Sequence, residues 1–233
     1  MNSYFTEGTF PVDVSGNRNI NPEMMRYYLS QLPIKARRIA QLILDNMQYV
    51  TFNELYNELL VCFKKFSHNI DDKPFHILFE KRKIGSSQWL VNMLKSHIKE
   101  LNFQGFITTD YKGDDVRDIL IIDDFSCTGS QIINNTLEEF ISHHLYVDYE
   151  RGTLDALKNI SFHIIIPYMS DKAINAIDSA LSHYNDEEFQ DEIIDYSLYT
   201  GDKRISCNLS GNIICPLLVG HLLILALRTT THA

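Results

Sequence analysis

The chain has 233 residues and is 45% apolar, enough for one large domain with its own core or one domain plus an extension. A formal net charge of −9 weakens the electrostatic case for non-specific nucleic-acid binding, so no nucleic-acid partner is expected. Cys62, Cys127, Cys207 and Cys215 are scattered without a C-x-x-C pair, which suits reduced thiols in a cytosol better than a disulfide framework or a zinc site.

Residues 1–20 are polar and read as loop. They lack the basic-then-apolar pattern of a secretory leader, and the cytoplasm is the expected compartment. Asn21-Pro22 is a helix start, followed by Met24, Tyr28, Leu29 and Leu32 at helical spacing until Pro33 breaks the pattern. A second helix is predicted from about Lys35 to Met47, with Ile39, Leu42, Ile43 and Met47 on one face. Thr51-x-x-Glu54 is a capping box that opens a third helix through Leu55, Leu59 and Phe63. Residues 1–70 therefore read as a helical N-terminal extension, a layer or hood outside an α/β domain of residues 71–233.

The pattern changes at Lys73-Pro74. Phe75 to Phe79 reads as a strand, Lys81-Arg82-Lys83 as a basic turn, and Gly85-Ser86-Ser87 as the lead into a helix through Trp89, Leu90, Met93, Leu94 and Ile98. Phe106-Ile107 is a short strand, and Asp110 to Arg117 a polar loop. Ile119-Leu120-Ile121-Ile122 has no polar alternation, the mark of a strand buried on both faces of a parallel sheet. A helix follows from Ile132 to Ile141, then a strand from Phe162 to Tyr168, then a helix capped by Ser170 that runs through Ile174, Ile177 and Leu181. Strands alternating with helices from 75 to about 183 predict an open, mainly parallel α/β sheet with right-handed crossovers and helices on both faces. Asp186 to Glu192 reads as a solvated acidic face. Ile213 to Leu227 is apolar, but it is shorter than the roughly 20 residues of a spanning helix and contains Pro216, Gly220 and His221, so no membrane partner is expected.

The chemistry gathers after the buried strand. Asp123 and Asp124 end it, and Phe125-Ser126-Cys127-Thr128-Gly129-Ser130 leads into a helix. Ligands of open α/β sheets bind at the carboxyl ends of strands, and a helix start presents free backbone N–H groups to anions. Gly129 permits close approach of a phosphate, while Thr128 and Ser130 supply hydroxyl donors. The carboxylates suit sugar hydroxyls or a Mg²⁺ held partly through water. A phosphate at the loop and a diol at the carboxylates describe a phosphorylated ribose. The plainer alternative is that Asp-Asp ends a strand and Thr-Gly-Ser caps a helix.

The segment from Ile119 to Ser130 resembles the binding signature for phosphoribosyl pyrophosphate (PRPP) of the type I phosphoribosyltransferases: four apolar residues, two acidic ones, a variable stretch, then Thr-Gly and a small residue. The resemblance implies that Asp123 and Asp124 are the catalytic-site acids that hold the ribose hydroxyls and share a Mg²⁺. It implies that Ser126, Cys127, Thr128, Gly129 and Ser130 hold the 5-phosphate. It also implies a pyrophosphate loop after an early strand, which places Lys83, Gly85, Ser86 and Ser87 as further ligand-binding residues; an exposed basic turn with a serine cap is the alternative there. Relatives that salvage 6-oxopurines carry an Asp where this chain has Cys127, so hypoxanthine or guanine salvage is not expected. Cys127 is then either a filler for Ala or a reactive thiol at a helix start. His143 and His144 are expected at the exposed end of the helix after the loop, with no Glu or Cys spaced for a metal site.

Across most of the chain the layout is similar to the phosphoribosyltransferase-like proteins of bacterial conflict (anti-phage) systems. The features are Pro22-x-Met24, the helix at Thr51-Phe52-x-Glu54-Leu55, the Gly-Ser turn at 85–87 and Ile166-Pro167-Tyr168. This resemblance implies a defence effector, leaving room for a partner protein from a defence operon. Two functions stay open: a phosphoribosyltransferase acting on PRPP or a ribose 5-phosphate compound, and a degenerate module that senses such a ligand. The tail departs from the pattern at Ile213, either as an ordinary apolar final element or through a shift of reading frame.

Overall fold

In the computed structural model, residues 26–46 apart from 28, residue 50, and residues 52–80, 86–111, 116–151, 160–183 and 194–202 are described. They fall into two compact units, one of residues 26–54 and one beginning at residue 55. In the first unit, helix α1 (Ile34–Asn46) follows a turn at Pro33. Arg37 closes that turn by donating from Nε to the Leu32 carbonyl and from Nη2 to the Ser30 carbonyl, both at 2.8 Å. The start expected at Asn21-Pro22, and the apolar tail from Ile213 with its proposed frame shift, lie outside the described residues.

The second unit begins within α2 (Phe52–Ile70) and continues through β1 (Phe75–Phe79), α3 (Ser86–Met93), α4 (Lys95–Ile98), β2 (Phe103–Thr108) and β3 (Asp118–Ile122). After the short β4 (Phe125–Ser126) comes a helical stretch: α5 (Ser130–Ile132), a π turn (Ile133–Leu137) and α6 (Glu138–Arg151). Then follow β5 (Ile160–Ile166), the short β6 (Tyr168–Met169), α7 (Asp171–His183) and β7 (Ile194–Thr200). The main sheet has the order β2-β1-β3-β5-β7, and all four pairings are parallel. β4 and β6 form a second, two-stranded parallel sheet, pairing Phe125 with Tyr168 and Ser126 with Met169.

β3 is central, and all five of its residues are buried. Side chains alternate across a strand, so an unbroken apolar run feeds two cores. Ile119 and Ile121 pack in one core with Ile132, Phe140 and Ile141 of the 130–151 stretch and Ala173, Ile177 and Leu181 of α7. Leu120 and Ile122 pack in the other with Phe63 and Phe66 of α2 and Leu90 and Val91 of α3. Helices therefore cover both faces of a parallel α/β sheet. The sheet also extends beyond residue 183, because β7 pairs with β5 from Ile160↔Ile194 to Ile166↔Thr200.

Three local expectations need correction. Helix α2 is not an outer layer over the core, because Leu59, Cys62, Phe63, Phe66 and Ile70 are part of it. The predicted strand from Phe162 to Tyr168 is broken at Pro167, which cannot donate to a ladder, and its last residue starts β6 instead. His144 is buried, stacked on Phe140 with ring centroids 4.0 Å apart, and its Nδ1 lies 3.0 Å from the Phe140 carbonyl. Both His143 and His144 lie within α6 (Glu138–Arg151) rather than at its end.

The second core holds one buried polar chain. His163 lies with Nε2 3.0 Å from Asp118 Oδ1 and Nδ1 3.2 Å from the Tyr199 hydroxyl, and Asn69 Nδ2 donates to that hydroxyl at 3.3 Å. These contacts join β3, β5, β7 and α2. They also satisfy polar groups that would otherwise be costly under Phe66, whose ring meets His163 edge-on at 5.3 Å.

Candidate functional site

Strand order fixes where the site belongs. β2 lies on one side of β1 and β3 on the other, so the connections leaving β1 and β3 diverge and open a crevice at their carboxyl ends. The predicted residues come from those two ends. Glu80, Ser86, Ser87, Asp123, Gln131 and Thr136 line the cleft, over an apolar floor that includes Ile121 and Ile122. Lys81, Arg82, Lys83 and Gly85 lie outside the described residues.

Asp123 is buried, and its N–H continues the sheet ladder by donating to the Ile165 carbonyl at 3.0 Å. Two donors converge on its Oδ1: the Ser86 hydroxyl at 2.8 Å and the Asp124 amide at 3.0 Å. Asp124 is half-buried and accepts the Phe125 amide on Oδ1 at 3.0 Å. Its carboxyl is pushed up from the usual 3.8 to about 7, first by burial, then by the neighbouring Asp123 charge and a side-chain hydrogen bond with Asp123.

The loop after the acids is tied at both ends. Ser126 Oγ accepts the Gly129 amide at 3.1 Å, and the Ser126 carbonyl accepts the Ser170 amide at 3.0 Å. Ser170 Oγ donates to the Cys127 carbonyl at 2.5 Å and accepts the Ala173 amide at 3.0 Å, so the residue that caps α7 also fastens the loop. The exposed members are Thr128 and Ser130, whose hydroxyls lie 3.1 Å apart. Helix bonding starts with the Ile133 amide on the Gly129 carbonyl at 3.0 Å.

Gly129 has a different reason from the one the sequence suggests. It is buried with φ +75, and a Cβ there would lie 3.1 Å from the Ala173 carbonyl oxygen and 3.3 Å from Ala176 Cβ. The close approach it permits is that of helix α7, while the surface facing solvent belongs to Thr128 and Ser130. Cys127 is half-buried. Cys62 is a core thiol pushed up to about 12 by burial, which makes it unreactive.

Sequence reasoning missed Glu80, Gln131 and Thr136. Glu80 directly follows the apolar run of β1 and was legible as a residue at a strand's carboxyl end. Thr136 depends on the π turn, a widened helical turn often found at functional sites, for which the sequence gives no signal.

A family model described as PRTase-CE matches residues 25–207. The chain belongs to the PRTase-CE family. It is thus a phosphoribosyltransferase-like protein, and the match takes in both sides of the cleft, from Ser86 to Ser130. No curated protein matches the chain. Among the described residues, no helix is long and apolar enough to cross a membrane.

Proposed function

We propose that this PRTase-CE protein binds PRPP, or a related ribose 5-phosphate compound, in the cleft between the β1 and β3 ends, and transfers or releases the phosphoribosyl group. One observation carries the reading: Asp123, two serines from the adjacent connection, and Gln131 of the helix that follows the hydroxyl-bearing loop line one cleft at the point where the strand order reverses. Asp123 and Asp124 would accept the ribose hydroxyls. Thr128, Ser130 and the backbone at the start of the helix would hold the 5-phosphate. Ser87 would lie toward the pyrophosphate.

Among the described residues, no group of three His, Cys, Asp or Glu side chains could hold a metal ion by itself. The acidic pair fits Mg²⁺ as an ion shared with substrate phosphates, which is how Mg²⁺ commonly binds. Bound there, it would offset the charge of the departing pyrophosphate. The chain's own contribution is to position the sugar in a pre-formed crevice.

Calorimetry with ribose 5-phosphate and with PRPP plus Mg²⁺ tests the reading. Asp123→Asn with Asp124→Asn should weaken binding by roughly ten- to hundredfold, since a hydrogen bond to a charged group contributes about 1.5–3 kcal/mol. Unchanged affinity would remove the assignment. A pyrophosphate-release assay over a set of bases separates an enzyme from a sensing module, which would bind PRPP without turnover. An anti-phage role, proposed from the layout, predicts that the same double variant abolishes protection when phage are plated on cells carrying the full operon; retained protection would detach defence from this site.

A further inference from the structure

Ser86 belongs to the connection that the family resemblance assigns to pyrophosphate, yet its hydroxyl is spent elsewhere. It donates to Asp123 Oδ1 at 2.8 Å, across the crevice and 37 positions along the chain. We infer that Ser86 is a positioning residue for the ribose-binding carboxylate rather than a pyrophosphate ligand; the inference rests on the proposed PRPP-type site.

Ser86 opens an eight-residue helix whose Leu90 and Val91 are buried in the second core. Its location relative to β3 is therefore set by packing and not by a freely moving loop. Asp123, also buried, ends the central strand. The serine hydroxyl and the Asp124 amide both converge on Oδ1, which fixes the rotation of the carboxylate and leaves Oδ2 for a sugar hydroxyl. Only one of these two donors is a side chain, so only one can be removed without altering the backbone. The neighbouring Ser87 lines the same cleft and has no such bond to Asp123, which leaves it as the serine able to serve the pyrophosphate. Holding a carboxylate with one oxygen already satisfied restricts the diol to a single approach. A loosely held carboxylate would have to lose rotamer freedom when the ligand arrives.

The test uses the full chain with Mg²⁺ and three probes: inorganic phosphate, ribose 5-phosphate and PRPP. The gain in affinity from phosphate to ribose 5-phosphate reports the sugar contacts, and the gain from ribose 5-phosphate to PRPP reports the pyrophosphate. Ser86→Ala should shrink the first gain about tenfold, the loss expected for one hydrogen bond to a charged group, and leave the second unchanged. Ser86→Thr, which keeps a hydroxyl, should restore the first gain. A second gain that shrinks while the first holds would make Ser86 a pyrophosphate ligand and overturn the inference. Equal loss for all three probes, or no loss for any, would overturn it as well. If the unaltered chain binds neither sugar phosphate, the proposed function itself falls and the inference falls with it.

Discussion

Asp124 sits where burial and a like charge act in the same direction. Its carboxyl titrates near 3.8 when free and at about 7 in the fold, because burial and Asp123 both oppose its ionisation. Between those pH values the folded chain keeps a proton that the unfolded chain has released. The stability contributed by this group is therefore complete below about pH 4 and is lost as pH rises through about 7, by up to about 1.4 kcal/mol per pH unit. Asp124→Asn removes that dependence. Urea unfolding should show the unaltered chain losing stability relative to the Asn variant from about pH 4 to about pH 7, and the variant should be the more stable at the upper end. Parallel pH curves for the two proteins would contradict the assignment. The acidic pair itself was legible in the sequence, since two carboxylates at the end of an unbroken apolar run have few structural uses. The Ser86 hydrogen bond was not legible, because which hydroxyl reaches Asp123 depends on a long-range pairing of strands. The buried setting of Gly129 was hidden for the same reason: φ +75 and the contact with Ala173 come from a helix that follows two strands later.

Among elements, the connections after β3 and β5 form a coupled pair. β4 pairs with β6, and Ser170 both caps α7 and holds the Cys127 carbonyl, so the loop expected to take phosphate is shaped by the next crossover. Ser170→Ala should cost about 1–2 kcal/mol of stability through the lost cap alone. Hydrogen exchange should also show faster opening of the Gly129 amide than in the unaltered chain, since the loop loses its outer fastening. An unchanged exchange rate there would show that Ser126 suffices to hold the loop. The sequence announced Ser170 as a cap, because a serine before a helical pattern is a local signal. It also announced β3 and its central place. It did not announce β7 to our reading, although Ile194, Tyr196 and Leu198 alternate with polar residues. That strand lies at the sheet edge with most of its residues only half-buried, so it lacks the dense apolar run that marks β3. The π turn left no trace because it is a strain of helix geometry and not a residue preference.

At the scale of the whole molecule, the helix expected to stand apart is part of the core. Phe66 of α2 is fully buried between Phe75 and Tyr199, with ring centroids 5.2 and 5.9 Å away. Its own loss as Phe66→Ala should cost about 3–5 kcal/mol. A chain begun at residue 71 would expose Phe75, Ile77, Leu120 and Ile122 together, so it should show no cooperative thermal transition by circular dichroism; a sharp transition would place the boundary back at residue 70. Periodicity revealed that α2 is amphipathic, yet the apolar face of a helix does not say which sheet it meets. The exclusively parallel main sheet has a consequence in time. A parallel pair cannot be closed by a tight turn, and each pairing must wait for its crossover to form. The shortest closure joins Phe75 to Phe103, whereas Asp118 must find Phe75 on one side and Ser161 on the other. Pairings so distant along the chain form late and slowly. The strand that presents the acidic pair is thus finished only when the sheet is nearly whole, and a ligand of the proposed site would meet no binding surface before then. Added during refolding, such a ligand would deepen the native state by mass action and leave the rate of reaching it unchanged.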